Sequence, residues 1–267
     1  SSLRPLKEGF TTEKGYPPDM FVSSERALEL TDYNTLVMVV DVNRPSHTEC
    51  PGLLKRTDSI VVFDHHRQSS EVISNPVLSY IEPYASSTCE MVAEVLQYFT
   101  ENIKLAPHEA DCIYAGILID TSNFMTKTGV RTFEAAAYLK RCGAEVTRVR
   151  KMLRNDMDAY KARAEVVRHA EVYRGAFAIS ICPADKIESP TIVGAQAADE
   201  LLNIVGIKAS FVLTEYQGKI YVSSRSIDEI NVQKIMERLG GGGHLNMAGC
   251  QLRDCTVSQA QRIIEDT

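Results

Sequence analysis

Three short apolar runs, each ending in an aspartate, constrain the fold of this chain most strongly. They are TLVMVVD ending at Asp41, SIVVFD ending at Asp64 and IYAGILID ending at Asp120. Continuous apolar runs of this length are typical of buried parallel strands, so we predict an α/β fold with a parallel sheet. Between the second and third runs, SSTCEMVAEVLQYF predicts a crossover helix, because Ser87 and Glu90 have capping-box spacing.

The second half of the chain has a different pattern, which predicts a second domain. A charged, helix-forming stretch without glycine or proline runs from Thr147 to about His169 and predicts a connecting helix. Strand-like runs, a YQGK turn and the amphipathic NVQKIMERL follow, and they predict a smaller mixed α/β domain. We expect a first domain over residues 1–150, a connecting helix over 151–169 and a second domain over 170–267.

Composition limits the kinds of partner. The net charge of -6 and the absence of a basic block argue against a surface for long nucleic acid, whereas a small anionic substrate fits a site whose bound metal inverts the local charge. The apolar runs are far shorter than the ~20 residues of a bilayer-spanning helix, so no membrane segment is expected in this chain. Seven cysteines without a C-x-x-C pair favour a soluble protein in a reducing cytoplasm.

The aspartates at the ends of the apolar runs are expected to converge, because the carboxyl ends of parallel strands meet at one edge of a sheet. Asp64 is followed by His65 and His66, and mixed carboxylate and imidazole groups can hold a divalent transition metal such as manganese. Adjacent histidines on an extended chain point in different directions. We therefore predict one as a metal ligand and the other as a substrate contact or proton donor. The alternative is that each aspartate only caps a helix or starts a turn.

A glycine run near the C-terminus precedes His244. A helix cap requires one glycine, so we expect the others to let the backbone approach a ligand, with His244 projecting toward it. Arg225 ends a strand-like run and is either a phosphate clamp or a surface arginine. Arg44, Arg67 and Arg131 have the same ambiguity. The glycines of the run are Gly240, Gly241, Gly242 and Gly243.

Taken together, the D-H-H at residues 64–66, the upstream VVD, the downstream GILIDT and the GGGGH resemble the DHH phosphoesterases that carry a DHH-associated domain. Five longer stretches, namely DMFVSSERALEL, VVDVNRP, VVFDHHR, NPVLSYIEPYASSTCE and GGGGHLNMAG, are similar to the catalytic part of membrane-anchored bacterial cyclic-di-AMP phosphodiesterases. The resemblance implies hydrolysis of cyclic di-AMP to linear 5′-pApA by water and two manganese ions. It also implies a location on the cytoplasmic side of a membrane. A homodimer is a candidate assembly.

The resemblance assigns roles to the metal-binding residues. Asp41 would bridge two manganese ions, His65 and Asp120 would complete one metal site, and Asp64 would orient His65. The family pattern also includes an N-terminal H-x-x-P-D-x-D motif on the first strand, and no such motif precedes Asp41. We therefore expect a parallel-sheet domain without its first strand, a single well-formed metal site and little activity. We attribute the difference to a strand outside this sequence rather than to a degenerate homologue.

The resemblance assigns substrate contacts as well. His66 would face the substrate phosphate, while Arg225 and the GGGGH segment of the second domain would bind the nucleotide, with the active site in the cleft between the domains. The residues 86–88 are predicted to cap a helix and not to act as nucleophiles. Two alternatives stay open: a nuclease for short linear nucleotides such as pApA, and a cyclic-dinucleotide-binding module without catalysis.

Overall fold

The computed structural model describes residues 4–12, 15–99, 104–154, 157–184, 187, 189–227 and 229–267. The chain divides into two compact units, Ser1–Arg154 and Asn155–Thr267. The elements of the first unit are α1 (Arg4–Thr12), α2 (Ser24–Leu30), β1 (Val37–Val40), β2 (Ile60–Asp64), β3 (Leu78–Ile81), α3 (Thr88–Phe99), α4 (Pro107–Asp120), α5 (Val130–Arg141) and α6 (Val146–Met152). The elements of the second unit are α7 (Met157–Arg168), β4 (Glu171–Tyr173), β5 (Phe177–Cys182), α8 (Pro190–Leu201), β6 (Ala209–Tyr216), β7 (Lys219–Ser226), α9 (Val232–Arg238), β8 (Gly242–His244), β9 (Met247–Leu252) and α10 (Val257–Asp266).

The sheet of the first unit is parallel, as the sequence predicts. Its described strands lie in the order β1-β2-β3, with Val37 opposite Ile60 and Phe63 opposite Tyr80. The central strand β2 is buried along most of its length, which explains why its sequence is a continuous apolar run. The carboxyl ends of β1 and β2 therefore deliver their following residues to the same edge of the sheet.

The third apolar run, IYAGILID, is not a strand. It is the C-terminal part of α4, so the prediction of a strand ending at Asp120 is wrong. The helix begins with Pro107, and the carboxylate of Glu109 accepts a hydrogen bond from the backbone N–H of Ala106 at 2.7 Å. Its inner residues, such as Ala115 and Ile117, are fully buried. A short continuous apolar run does not by itself distinguish a strand from a buried helix.

The third strand of the sheet is instead β3, with the sequence LSYI. Its residues are exposed or half-buried, because it lies at the edge of the described sheet. A strand with little buried surface carries little apolar patterning, so its sequence gave no clear signal.

The predicted connecting helix over residues 147–169 is two helices. The first, α6, ends at Met152, and the backbone N–H of Leu153 closes it with a bond to the carbonyl of Val149. The second, α7, begins at Met157. Val149 is buried in a core of the first unit and Val166 in a core of the second. Each helix therefore packs on its own unit, which helix propensity alone does not reveal.

The start of α3 confirms half of the predicted capping box. The hydroxyl of Ser87 accepts a hydrogen bond from the backbone N–H of Glu90 at 3.0 Å. The Glu90 carboxylate, however, accepts from the hydroxyl of Ser86 at 2.5 Å and from that of Thr132 at 2.6 Å. Glu90 is buried, so these bonds satisfy its charge and join α3 to α5.

The second unit contains the predicted mixed sheet. Its strand order is β4-β5-β6-β7-β9-β8, with β5 and β6 parallel and the other pairs antiparallel. The YQGK turn is a hairpin turn, with positive φ of 50° at Gln217 and 71° at Gly218. The helices α7 and α8 pack against one face of the sheet around Val212, and α9 and α10 against the other around Phe211. Among the described residues, no helix is long and apolar enough to cross a membrane.

Candidate functional site

Asp41 follows β1 and turns its carboxylate toward the end of β2. Its backbone N–H bonds to the carbonyl of Phe63 at 2.9 Å, and its φ of 65° is in the left-handed region. Such a conformation in a residue other than glycine persists only where neighbouring contacts hold it. The hydroxyl of Thr88, at the start of α3, supplies one of those contacts and donates to Oδ1 of Asp41 at 2.9 Å.

His65 and Asp120 approach Asp41 from two other elements. His65 follows β2 and its side chain is buried, whereas Asp120 is the last residue of α4. Nε2 of His65 lies 3.6 Å from Oδ1 of Asp41 and 3.8 Å from Oδ2 of Asp120. The structure thus brings these three predicted ligands together, although Asp120 arrives from a helix and not from a strand.

Asp64 has a different partner from the one we expected. Its buried carboxylate accepts hydrogen bonds from the backbone N–H of His66 at 3.1 Å and from Nδ1 of His66 at 2.7 Å. The side-chain amide of Asn43 donates to its other oxygen at 2.6 Å. Asp64 therefore orients His66 and not His65. Because Nδ1 of His66 is occupied, the free ring nitrogen that it offers is Nε2.

The pKa values of the site follow from this geometry. The hydrogen bond with Asp64 raises the pKa of His66 above its ordinary value. Burial acts to raise the pKa of Asp64, but the hydrogen bonds from His66 outweigh it and the pKa lies below its ordinary value. Burial raises the pKa of Asp120, and the nearby Asp41 adds to the shift while His65 opposes it. Charge is thus crowded where Asp41 and Asp120 meet, and a cation would relieve it.

The donor atoms fit a divalent metal ion. Two atoms bound to one ion at about 2.1 Å lie ~3–4 Å apart, which matches the separations from His65 to Asp41 and to Asp120. One ligand atom each of Asp41, His65 and His66 also lies within 4.8 Å of the others. Mixed oxygen and nitrogen donors of this kind suit transition metals such as manganese or zinc.

Arg131, near the start of α5, is already engaged. Arg131 donates from Nε and from Nη2 to the two carboxylate oxygens of Glu94, each at 2.7 Å. This bidentate pair raises the pKa of Arg131 further above its ordinary value. Arg131 is therefore a link between α5 and α3 and not a free phosphate clamp.

In the second unit, α8 covers β5, β6 and β7 but leaves β9 and β8 open on the same face. Directly paired residues of neighbouring antiparallel strands share a face. One row of this face contains Arg225, Met247 and His244, as the strand register shows. We call this face of the three strands, next to α8 at β7 and open at β9 and β8, the β7–β9–β8 platform, and its residues are Tyr221, Ser223, Arg225, Gly242, His244, Met247, Gly249 and Gln251.

Arg225 and His244 lie at one end of this platform. Arg225 is mostly buried, and its Nε donates to Oδ1 of Asp199 in α8 at 2.7 Å. It is therefore not a surface arginine but a guanidinium held in place by a carboxylate, and its role as a phosphate clamp stays a prediction. His244 is exposed in the same row on the edge strand β8, with Met247 of β9 between it and Arg225.

The fold itself requires two of the predicted ligand-approach glycines. A Cβ on Gly241 would lie 2.2 Å from the carbonyl oxygen of Gly249. Gly243 has a φ of 147°, and a Cβ there would lie 2.4 Å from the carbonyl oxygen of Met247. Gly242 is different, because a Cβ on it would contact nothing and the residue is exposed. Of these three glycines, only Gly242 could carry a side chain without a clash in the fold. Contact with a ligand is therefore the explanation that we retain for a glycine at this position.

Two residues of the first site were not singled out as parts of it by the sequence. Thr88 belongs to a serine and threonine cluster that predicted only helix capping, and 47 residues separate it from Asp41. Asn43 comes two residues after Asp41, in VVDVN, and its partner Asp64 is on another strand. A polar side chain close to a strand-end aspartate is the only local signal that indicates Asn43.

Comparison with protein families agrees with this architecture. Residues 4–117 match the DHH family, N-terminal domain, and residues 177–267 match the DHHA1 domain. These two matches cover most of the chain, so the chain belongs to the DHH family, and the resemblance predicted from its motifs is confirmed.

Two curated relatives are more specific. The cyclic-di-AMP phosphodiesterase GdpP of Geobacillus thermodenitrificans is 44% identical over 246 residues, which is 92% of this chain and 37% of the relative. The cyclic-di-AMP phosphodiesterase PdeA of Listeria monocytogenes is 42% identical over 242 residues, with 90% and 37% covered. The chain thus spans little more than a third of the length of these relatives.

A solved structure shares the fold. It is an exopolyphosphatase-related protein from Bacteroides fragilis, with a TM-score of 0.83 and 19% sequence identity. The match covers 96% of this chain and 78% of that protein.

Proposed function

We propose that this chain is the metal-dependent catalytic part of a phosphodiesterase that hydrolyses cyclic di-AMP to linear 5′-pApA, with manganese as its metal. The observation that carries the proposal is that Nε2 of His65 lies 3.6 Å from a carboxylate oxygen of Asp41 and 3.8 Å from one of Asp120. The choice of substrate is supported by the two relatives that are named for this activity and match about nine-tenths of the chain.

Different residues of the first unit would have different roles in the reaction. Asp41, His65 and Asp120 would hold the ion, and Thr88 fixes the carboxylate of Asp41. A divalent ion at this position supplies charge stabilisation for the reacting phosphate and activation of water. Asp64 accepts a hydrogen bond from Nδ1 of His66, and this bond raises the pKa of His66 in the metal-free protein. His66 would then donate a hydrogen bond from Nε2 to a phosphate oxygen or a proton to the leaving oxygen.

The second unit would bind the nucleotide on the β7–β9–β8 platform. The guanidinium of Arg225 is fixed by Asp199, so little side-chain entropy is lost when it contacts a phosphate. His244 lies in the same row and is exposed. Gly242 lies two residues before His244 on β8 and has no side chain, so a ligand on the platform can contact its backbone. By this proposal the phosphate lies at the Arg225 and His244 end.

The number of metal ions limits the expected rate. Among the described residues, Asp41, His65 and His66 are the only histidine, cysteine or acidic groups that form a cluster of three with donor atoms within 4.8 Å of one another, and Asp120 joins this cluster through His65 at 3.8 Å. We propose that this part of the protein holds one ion tightly and turns over slowly by itself, because two-metal hydrolysis depends on both ions. The relatives are longer than this chain, and by the resemblance of its motifs we propose that it acts on the cytoplasmic side of a membrane as part of a membrane-anchored protein.

Product analysis of two substrates tests the proposal. Cyclic di-AMP and linear pApA are incubated separately with the chain and manganese, and nucleotides are quantified by chromatography. We expect slow conversion of cyclic di-AMP to pApA that requires manganese. Asp120→Asn should abolish it, whereas Asp58→Asn, a change of an exposed aspartate in a loop, should not.

Two other results would support the alternatives. Faster hydrolysis of pApA than of cyclic di-AMP would identify a nuclease for short linear nucleotides. Tight binding of cyclic di-AMP without product at any manganese concentration would identify a binding module.

A further inference from the structure

A cavity of about 480 Å³ lies at the opposite end of the platform from Arg225 and His244. Its volume is within the usual range for small-molecule sites. It lies entirely within the second unit, between the start of α8 and the strands β7 and β9. Its lining residues include Thr191, Tyr221, Ser223, Gly249, Gln251 and Arg253.

The floor and walls of this cavity offer a flat surface with polar groups at its rim. Gly249 and Ser223 are opposite each other in the register and form a floor without bulky side chains. Tyr221 stands in the next row beside Gln251 and supplies an aromatic ring. A ring bordered by a small-residue floor suits stacking of another flat ring, and stacking on aromatic side chains is the usual way in which proteins hold nucleobases.

The polar groups of the cavity are available to a ligand. Within the part of the chain that the structure describes, the side chains of Tyr221, Gln251 and Arg253 take part in no hydrogen bond or ion pair. Gln251 and Arg253 are exposed. The amide of Gln251 presents a donor and an acceptor side by side, which matches the paired groups on the edge of a purine. Among the described residues that line the cavity there is no carboxylate, and Arg253 contributes a positive charge.

The distance between the two ends of the platform matches the size of a nucleotide. Tyr221 and Arg225 are four residues apart on β7 and face the same side, so they are ~13 Å apart along the strand. A nucleotide whose phosphate lies at Arg225 and His244 extends its base along the platform toward Tyr221. A purine reaches farther than a pyrimidine and offers a larger ring surface.

We propose that this cavity is a subsite for a purine base of the dinucleotide, with Tyr221 stacking on the ring and Gln251 contacting its edge. The proposal rests on the proposed function, because it takes the phosphate to be bound at Arg225 and His244. Arg253 would contact the base from the open side or a second phosphate of the same ligand.

The test compares ligands that differ only in the base. Metal-free chain is titrated with 5′-AMP, 5′-CMP and ribose 5-phosphate, and binding is followed by ligand-observed NMR or calorimetry. We expect 5′-AMP to bind about tenfold more tightly than ribose 5-phosphate, as a stacked base implies, and more tightly than 5′-CMP. Gln251→Ala and Tyr221→Leu should each remove most of the preference for 5′-AMP. Gln251 is exposed, so its replacement leaves the fold intact even if that of Tyr221 does not.

A matched arginine pair provides the control. Arg253→Ala should weaken 5′-AMP binding several-fold, whereas Arg262→Ala should not, because Arg262 is an exposed arginine on α10, which packs on the opposite face of the sheet. Equal binding of 5′-AMP and ribose 5-phosphate, or unchanged 5′-AMP binding by Gln251→Ala, would overturn the subsite.

The subsite and the proposed function fail in different ways. If Gln251→Ala binds and hydrolyses cyclic di-AMP as the unchanged chain does, the subsite is refuted and the phosphodiesterase proposal stands. If the chain neither binds nor hydrolyses cyclic di-AMP while Gln251→Ala still abolishes the preference for 5′-AMP, the subsite stands and the proposed function is refuted.

Discussion

Replacement of Thr88 by valine removes one hydroxyl from the metal centre and keeps the shape of the side chain. In the structure this hydroxyl donates to Oδ1 of Asp41 at 2.9 Å. Asp41 has a left-handed backbone, so its carboxylate position depends on such contacts. Without the bond, we expect Asp41 to sample other orientations and to bind manganese less tightly.

The size of the effect follows from the burial of the two partners. A hydrogen bond to a charged group contributes about 1.5–3 kcal/mol. Thr88 is buried, but the side chain of Asp41 is 56% exposed and water replaces part of the lost bond. We therefore expect about 1–1.5 kcal/mol, or roughly a tenfold weaker manganese affinity. Replacement of a residue that orients a metal ligand usually weakens affinity by about 10–100-fold, which is consistent with this figure.

Calorimetric titration of manganese into metal-free protein measures this difference. Thr88→Ser keeps the hydroxyl and should recover most of the affinity. Thr57→Val is the matched control, because Thr57 is also buried in the first unit and its hydroxyl donates to the carbonyl of Thr35 at 2.7 Å. It should lower the stability of the fold and leave manganese affinity unchanged. Unaltered manganese binding by a folded Thr88→Val protein would refute the reasoning.

Three further predictions concern other contacts of the two units. In metal-free protein, His66 should titrate by NMR with a midpoint above its ordinary pKa of 6.5, and Asp64→Asn should lower that midpoint. Because the pKa is raised in the folded state, the stability that this pair contributes is complete below pH 6.5 and is lost as the pH rises through the folded pKa. An unchanged midpoint in Asp64→Asn would contradict the pairing. Glu90→Ala should lower the free energy of unfolding in urea by about 2–4 kcal/mol, because two buried hydroxyls lose their acceptor; a loss below about 0.5 kcal/mol would show that the network contributes little. Gly241→Ala should destabilise the second unit through a clash with backbone, whereas Gly242→Ala should melt as the unchanged protein does and bind cyclic di-AMP less well; equal melting temperatures for the two variants would exclude the packing argument.

The sequence predicts the ends of β1 and β2 well, because both strands are short apolar runs and a parallel sheet aligns their carboxyl ends. Asp41 and the D-H-H segment could therefore be located from the chain alone. The element that carries Asp120 could not. IYAGILID is apolar on most sides because α4 is surrounded by other helices of the first unit, and that pattern is shared by buried strands.

The contacts between the site residues are less predictable than their positions. The sequence predicts that the adjacent histidines point in different directions, but their rings are in edge contact with centroids 4.4 Å apart, and the sequence does not indicate which of them Asp64 contacts. The structure shows His66, because a carboxylate two residues earlier reaches both the backbone N–H and Nδ1 of that residue. The role of the glycine run is also hard to predict from the sequence. Its cost suggested a ligand, whereas the close approach of β8 to β9 accounts for Gly241 and Gly243.

Manganese stoichiometry in the unchanged chain and in His65→Ala tests the central claim most directly. His65 lies between both carboxylates, so the claim that this cluster is the metal centre predicts one tightly bound ion per chain, measured by elemental analysis after dialysis, and its loss in His65→Ala. His47→Ala, a change of an exposed histidine, should keep the ion. Manganese-dependent conversion of cyclic di-AMP should be slow in the unchanged chain and absent from His65→Ala. Retention of the ion by His65→Ala, or two tightly bound ions with rapid turnover in the unchanged chain, would contradict the account.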